Sequence, residues 1–465
     1  MLMRFIHVFF SMMAPGSISG VLASSALFFS FMMIAPPAAS GLSEADSAPE
    51  VSAQAAQLIQ ESPLVQAYPE LEPLMREAAR NNPELRAMQH RSEAARSAAR
   101  GAGVLPDPEL NLMYDFNPMN ADEVSQAGRF SLSVMQMIPW PGTRRSQREA
   151  GQFAAAAAQA EVHDRQLEVL GEVQLVWLRL AEAHEQIRLN EAQLELISSL
   201  EELIAVRYET GRARQVDQLR IQMQRERIGY LIEQQRDALL PLQAALGELL
   251  GRGEPAEIAY ESELRPARWT EASTAALLRE ARQQHPAFEA LSARSASLEK
   301  QQRTAQLEGR PSFGLGLEVM GRDFGPMSMN PGGTESFIGM LSVRLPIHRS
   351  RPQAQQARIS GELRGIDQQE TQTVNRLQRE LEAADEARRR ATRELELIET
   401  ELLPRVNEAL ELLTEAYINA DVRFDEVLAL QGELLDVEHE RIQALKQQHE
   451  AVIRILRLTA GGPAN

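Results

Sequence analysis

The 465-residue chain contains no cysteine, and aromatic residues make up only 5% of it. The first absence excludes disulfides, thiolate metal sites, a cysteine nucleophile and a lipid carried on an N-terminal cysteine. Packing must therefore hold the fold together. The second argues against a compact enzyme core, which usually carries more aromatic bulk. Basic residues are also in deficit: 48 Lys plus Arg face 65 Asp plus Glu, a net charge of −17, which repels phosphate backbones and argues against nucleic acid as a partner. HExxH, GxSxG and Walker-type loops are missing, and the eight histidines are scattered. No catalytic residue, cofactor or metal ligand is assigned, and His439 and His449 read as solvated helix surface.

Past the N-terminus no stretch reaches the ~20 uninterrupted apolar residues of a spanning helix, so any entry into a membrane must use strands. The N-terminus itself opens with Arg4, thickens in apolar residues from Ile18 to Ala35 and ends in the small-residue run APPAAS. This reads as an export signal over residues 1–40.

What is abundant is Ala, Leu, Glu, Gln and Arg in long stretches, the mixture of laterally packed helices. The chain is also written twice, at a spacing of roughly two hundred residues, far longer than the ~20–50 of solenoid repeats. NNPELRAM at Asn81 is answered by QHPAFEAL at Gln284, PELNLMYDF at Pro108 by PSFGLGLEV at Pro311, and FSLSVMQMIP at Phe130 by FIGMLSVRLP at Phe337. The closest pair comes last: YETGRARQVDQLRIQ from Tyr208 aligns without gaps on YINADVRFDEVLALQ from Tyr417. The expected organisation is an extension over 41–70, a first repeat over 71–265, a second over 266–460 and a tail over 461–465.

Each half reads as helix, two strands, a very long helix, a turn and another helix. The expected helices are Leu71 to Arg100, Arg145 to Tyr208, Arg214 to Leu250, Glu271 to Leu307, Pro352 to Tyr417 and Phe424 to Leu458. Val169, Val173, Val176, Leu180, Ala183, Ile187, Asn190, Leu194, Ile197, Glu201, Ile204 and Tyr208 step by fours and threes, a coiled-coil seam. The helices alone would equally suit a coiled coil without a transport role.

The strands expected near 108–116, 130–139, 311–319 and 337–346 alternate apolar and polar residues and approach the ~9–11 residues of a tilted membrane strand. Tyr114, Phe116, Phe130, Trp140, Phe313 and Phe337 lie near their ends, where interface aromatics belong. Four strands cannot close a membrane barrel, and open edges are not tolerated in lipid, so several copies must share one wall. A small soluble sheet with one buried face would produce the same alternation.

Taken together, the signal segment, the duplication, the strand pairs and the repeated Tyr-x-x-Gly/Ala-x-x-Arg-x-x-acid-x-Leu-x-x-Gln element resemble the TolC-type outer-membrane efflux family over essentially the whole mature chain. IPWPGTRR from Ile138 to Arg145 is similar to a turn of its heavy-metal branch. The resemblance implies a mainly α fold with membrane β: a homotrimer in which each subunit gives four strands to a twelve-stranded barrel continued by a helical periplasmic tunnel. It implies an outer-membrane location and docking on a periplasmic adaptor and an inner-membrane efflux pump, in an RND-type efflux or a type I secretion system. Export of metal cations is the favoured cargo class. By position in the motif it implies a gate of Asp217, Tyr417 and Glu426, with Tyr208, Gly211, Arg214, Ala420 and Arg423 at the periplasmic tip. Gly211 suits a left-handed turn, and in the second copy Asn419 could take that position beside Ala420. Met113, Met119, Met320, Met327 and Met329 gather around the strand loops; they read as flexible or lipid-facing, though thioethers also bind soft metals. The competing function is a soluble periplasmic coiled-coil adaptor or assembly scaffold without a pore.

Overall fold

The computed structural model describes residues 53–115, 129–257, 263–322, 336–419 and 422–460. The signal segment, Phe116, Met119, Met327, Met329, Ala420 and the tail lie outside these residues. The elements are α1 Ala53–Glu61, α2 Pro63–Ala67, α3 Leu71–Asn81, α4 Pro83–Gly101, β1 Glu109–Asp115, β2 Arg129–Ile138, α5 Thr143–Glu209, α6 Gln215–Asp237 and α7 Leu239–Leu250. The second half gives α8 Thr274–Gln284, α9 Pro286–Glu308, β3 Ser312–Arg322, β4 Ser336–Arg344, α10 Ser350–Leu397, a π turn Ile398–Leu402, α11 Leu403–Ile418 and α12 Phe424–Leu458.

Four of the expected helices are broken, and proline accounts for each break. The first splits at Asn82, whose backbone is extended before Pro83 and whose side chain accepts hydrogen bonds from the backbone N–H groups of Glu84 and Leu85. Its counterpart splits at His285 before Pro286, with the imidazole accepting from Ala287 N–H. Proline disfavours α geometry in the residue before it and suits the first helical position, so each break caps the helix that follows. Arg214 to Leu250 is interrupted at Ala238, three residues before Pro241, and Pro352 to Tyr417 widens into a π turn where Pro404 removes a donor and crowds the preceding turn.

The 67-residue α5 spans about 100 Å at ~1.5 Å per residue. It packs along α9, α4, α6 and α12. Its heptad positions Val169, Val173, Leu180, Ile187, Asn190, Ile197 and Ile204 are buried, but Tyr208, expected to close the seam, is 44% exposed. The seam ends at Ile204 because α5 runs into its terminal turn there.

The described residues before 71 carry α1 and α2, which enter the main core, where Leu58, Leu64 and Tyr68 join Trp177, Leu178 and Leu250. Tyr68 and Trp177 rings lie 4.9 Å apart. The same core ties down the link between the repeats. Tyr68 Oη donates to Glu263 O (3.1 Å) and accepts from Arg265 N–H, Glu185 accepts from Leu264 N–H, and Gln448 accepts from Ala267 N–H. His449 is 1% exposed with Nε2 2.8 Å from Arg265 O; it is a buried clamp on this link, not solvated surface. Burial holds its pKa below the ordinary histidine value.

The four strands form one antiparallel sheet in the order β1-β2-β3-β4. β2 and β3, separated in sequence by the five helices α5 to α9, pair along ten positions from Arg129↔Arg322 to Ile138↔Phe313. The registers put Leu110, Leu112 and Tyr114 of β1, Leu132, Val134 and Ile138 of β2, Leu315 and Leu317 of β3, and Phe337, Leu341 and Val343 of β4 on one face. All of these are exposed. The soluble-sheet alternative requires that face to be covered, and within one copy it is not.

Candidate functional site at the hairpin ends

Two helical hairpins, α5–α6 and α11–α12, carry the duplicated tyrosine–glycine element, and their ends pack together. Ile197, Ile204, Ile221 and Ile228 from the first join Tyr417, Phe424 and Val427 from the second in one buried cluster.

The first turn is made by Gly211 at φ +71°. Thr210 Oγ1 donates back to Val206 O and Arg207 O (3.1 Å each), and the N–H groups of Arg212 and Ala213 both reach Arg207 O. These bonds satisfy the carbonyls that a helix leaves open at its C-terminus. α6 starts immediately, because Asp217, its third residue, accepts from Arg214 N–H (3.2 Å), Arg214 Nε (3.1 Å) and Arg214 Nη2 (2.9 Å). Asp217 is only 5% exposed, and within one chain these bonds stay inside its own turn.

The second turn is built differently. Asn419 keeps right-handed geometry at φ −78° rather than taking the left-handed position, and its N–H continues to Glu415 O. A β-carbon makes the left-handed region costly, whereas helical geometry costs nothing here. Arg423 precedes α12, ion-pairs with Asp425, and Asp425 also lies 3.5 Å from Arg220 Nη1 of α6. Glu426 is exposed in the first turn of α12.

The two copies have thus exchanged roles. In the first the tyrosine is exposed and the acid buried; in the second Tyr417 is 8% exposed and Glu426 faces out. Tyr417 is held by Arg207 of α5, whose Nη1 donates to Tyr417 O (3.1 Å) while its guanidinium lies 4.4 Å over the ring, and by Phe424 at 5.7 Å. Burial raises the Tyr417 hydroxyl pKa above its ordinary value. Arg207, Arg220 and Asp425 were not singled out from the sequence. Arg207 sits one residue before the motif's tyrosine, and no spacing rule marks it; Asp425 could have been found from its helix-start position beside Arg423.

At the far end of α5, the turn over Ile138 to Arg145 carries Gly142 at φ +93° and Trp140, whose ring stacks on Phe313 at 6.1 Å with Arg310 5.3 Å away. Arg144 Nε donates to Gly103 O (2.9 Å), tying the turn to the chain that enters β1. Phe337 is 65% and Tyr114 47% exposed, while Phe130 and Phe313 are half-buried. Among the described residues no group of three or more His, Asp or Glu side chains is arranged to hold a metal, and no helix is long and apolar enough to cross a membrane.

Residues 74–252 match the family model for outer membrane efflux proteins. Among solved structures the chain resembles a membrane protein from Pseudomonas aeruginosa (20% identity, TM-score 0.73, covering 90% of this chain and 97% of that one). It resembles CusC, reported with its conformational changes on transmembrane channel formation (17%, TM-score 0.72, 85% and 92%). A third likeness is to the outer membrane protein VceC from Vibrio cholerae (17%, TM-score 0.70, 87% and 99%). At these identities the likeness establishes the fold, mainly helical with one small antiparallel sheet. No curated protein sequence matches the chain.

Proposed function

We propose, from the premise that residues 74–252 belong to the outer membrane efflux protein family, that the chain is the outer-membrane channel of a tripartite efflux system. The sheet carries this reading. It has open edges at β1 and β4 within one copy and an exposed apolar face across all four strands. A hydrocarbon environment accommodates that face, and the edges are closed only when the β4 of one copy meets the β1 of another. Three copies give twelve strands in one barrel, and the long hairpins of three copies continue it as a tunnel through the periplasm. Docked on an adaptor and an inner-membrane pump, the protein is a passive conduit; no step in this reading calls for catalysis. Metal cations are the cargo class we favour, on the resemblance of the Ile138 to Arg145 turn.

The hairpin ends make the gate in this reading. Threefold symmetry gathers three copies of Glu426 at one level, an acidic ring that favours cations. Asp217 holds the neighbouring turn in its closed geometry through Arg214, and Tyr417 locks the second hairpin to the first through Arg207. Tyr208, Gly211, Arg214 and Arg423, described residues at the hairpin ends, would meet the adaptor, and by its place in the motif Ala420 would join them.

Single-channel conductance in planar bilayers tests the assignment. Wild type should show a low-conductance closed state, Asp217→Ala should raise its conductance severalfold, and Glu426→Ala should shift the reversal potential in a salt gradient away from cation preference. Unchanged currents and selectivity in both variants would remove the gate. Recovery of the protein in the soluble periplasmic fraction would favour the scaffold reading instead.

A further inference from the structure

The face of the sheet opposite the apolar one is not simply polar. Its cross-strand rows run Met137–Gly314–Ser342, then Glu109–Met135–Gly316–Met340, then Asn111–Ser133–Glu318–Ile338, then Met113–Ser131–Met320–Ser336. Met113 and Met320 are therefore on the side away from lipid in the channel reading, not lipid-facing. Met135, Met137 and Met340, which drew no attention in the sequence, share that side. They surround the two glycines of β3.

The packing at those glycines is specific. A β-carbon on Gly314 would lie 2.9 Å from the Met137 sulfur and 3.1 Å from the Met135 sulfur, and would run into Ser342 Oγ. At Gly316 it would lie 3.2 Å from the Met135 sulfur. Two thioethers thus converge on one spot above residues without side chains, with the Ser342 hydroxyl 3.9 Å from Met135 Sδ. Met340 stands across Gly316 from Met135, two strands away, or about 10 Å at the usual ~4.8 Å strand spacing. Unbranched methionine side chains can close such a gap when the residue between them has none. All three methionines are half-buried.

We propose that Met135 and Met137, seated over Gly314 and Gly316, form with Met340, the β4 partner of Gly316, a binding site for a soft monovalent cation, Cu(I) or Ag(I). Neutral, polarizable thioethers select such ions over hard cations. Glu109 lies in the same row and Glu318 one row along, so the charge of the ion is opposed without a hard ligand in the site. The proposal deepens the conduit reading, since it takes this face as the pore wall and gives a metal cargo a contact within the barrel.

The test uses the full chain purified in detergent and Ag(I) as the probe. Wild type should bind Ag(I) with sulfur neighbours in its X-ray absorption spectrum, and Met135→Leu/Met137→Leu/Met340→Leu, which preserves apolar volume, should lose the strongest binding equivalent. Met223→Leu on exposed α6 serves as the control and should change nothing. Should the triple variant not fold, Met137→Leu alone should weaken Ag(I) binding about tenfold or more, on the scale of disturbing a metal shell. Unchanged Ag(I) affinity in the leucine variants, or a silver spectrum without sulfur, would overturn the site and show that the methionines only fill space over the glycines. Conductance of the same preparations separates the two readings: conducting protein without sulfur-bound silver refutes this site and leaves the conduit standing.

Discussion

Tyr208 and Tyr417 occupy the same place in two copies of one motif, yet one faces solvent and the other is clamped under Arg207. The motif was legible as a repeat, but exposure depends on what the neighbouring hairpin presents, which no single segment records. His449 makes the same point: a histidine within a polar-looking helix turned out to hold the link between repeats through Arg265 O. Asp164 and His285 give a residue-scale prediction. Burial pushes the Asp164 carboxyl up to about 6 and, helped by Arg376 and Arg457, holds the His285 imidazole down to about 4, with the two 3.5 Å apart. An unfolded aspartate releases its proton near ~3.9, so the folded state binds more protons between roughly pH 4 and 6, and the stability from this site falls as pH rises through that window. His285 acts oppositely, costing stability as pH drops below its ordinary value of ~6.5. Asp164→Asn removes only the first effect. Its gain in melting temperature over wild type should be near nil at pH 4 and greatest at pH 7; a gain that does not grow with pH would contradict the assignment.

Elements were legible where a period repeats and illegible where a single residue decides. The heptads marked α5, α11 and α12, and period two marked all four strands to within a few residues. The splits at Asn82 and His285 were written in the paired NNP and QHP segments, but there the strong helical pattern on both sides masked the proline. α1 and α2 were missed because 9- and 5-residue helices are too short to show a period. Glycines supply a test at this scale. Gly103, at φ +69°, packs so closely on the Arg144 carbonyl that any β-carbon would collide with it, whereas Gly211, at φ +71°, has open space around it. Gly211→Ala should cost only the left-handed penalty of about 1–2 kcal/mol. Gly103→Ala adds a backbone collision and should lower the melting temperature further. Equal losses in thermal melts would mean that the Arg144–Gly103 tie does not hold the turn into α5.

At the scale of the whole molecule, the sequence announced an incomplete object: four strands too few for a barrel and helices of about 100 Å too long for a globular domain. Both features are present among the described residues, and within one copy the edges of the sheet and its apolar face are left uncovered. Which strand would meet each open edge is not written in one chain, because such a register would be a property of an assembly. The central claim is that copies of this chain complete one another's sheet, and the native mass of the protein extracted from membranes in mild detergent measures it directly. The account predicts a particle of three chains that falls to single chains only on heating in strong detergent; a stable single chain in mild detergent, with the sheet edges unshared, would contradict it.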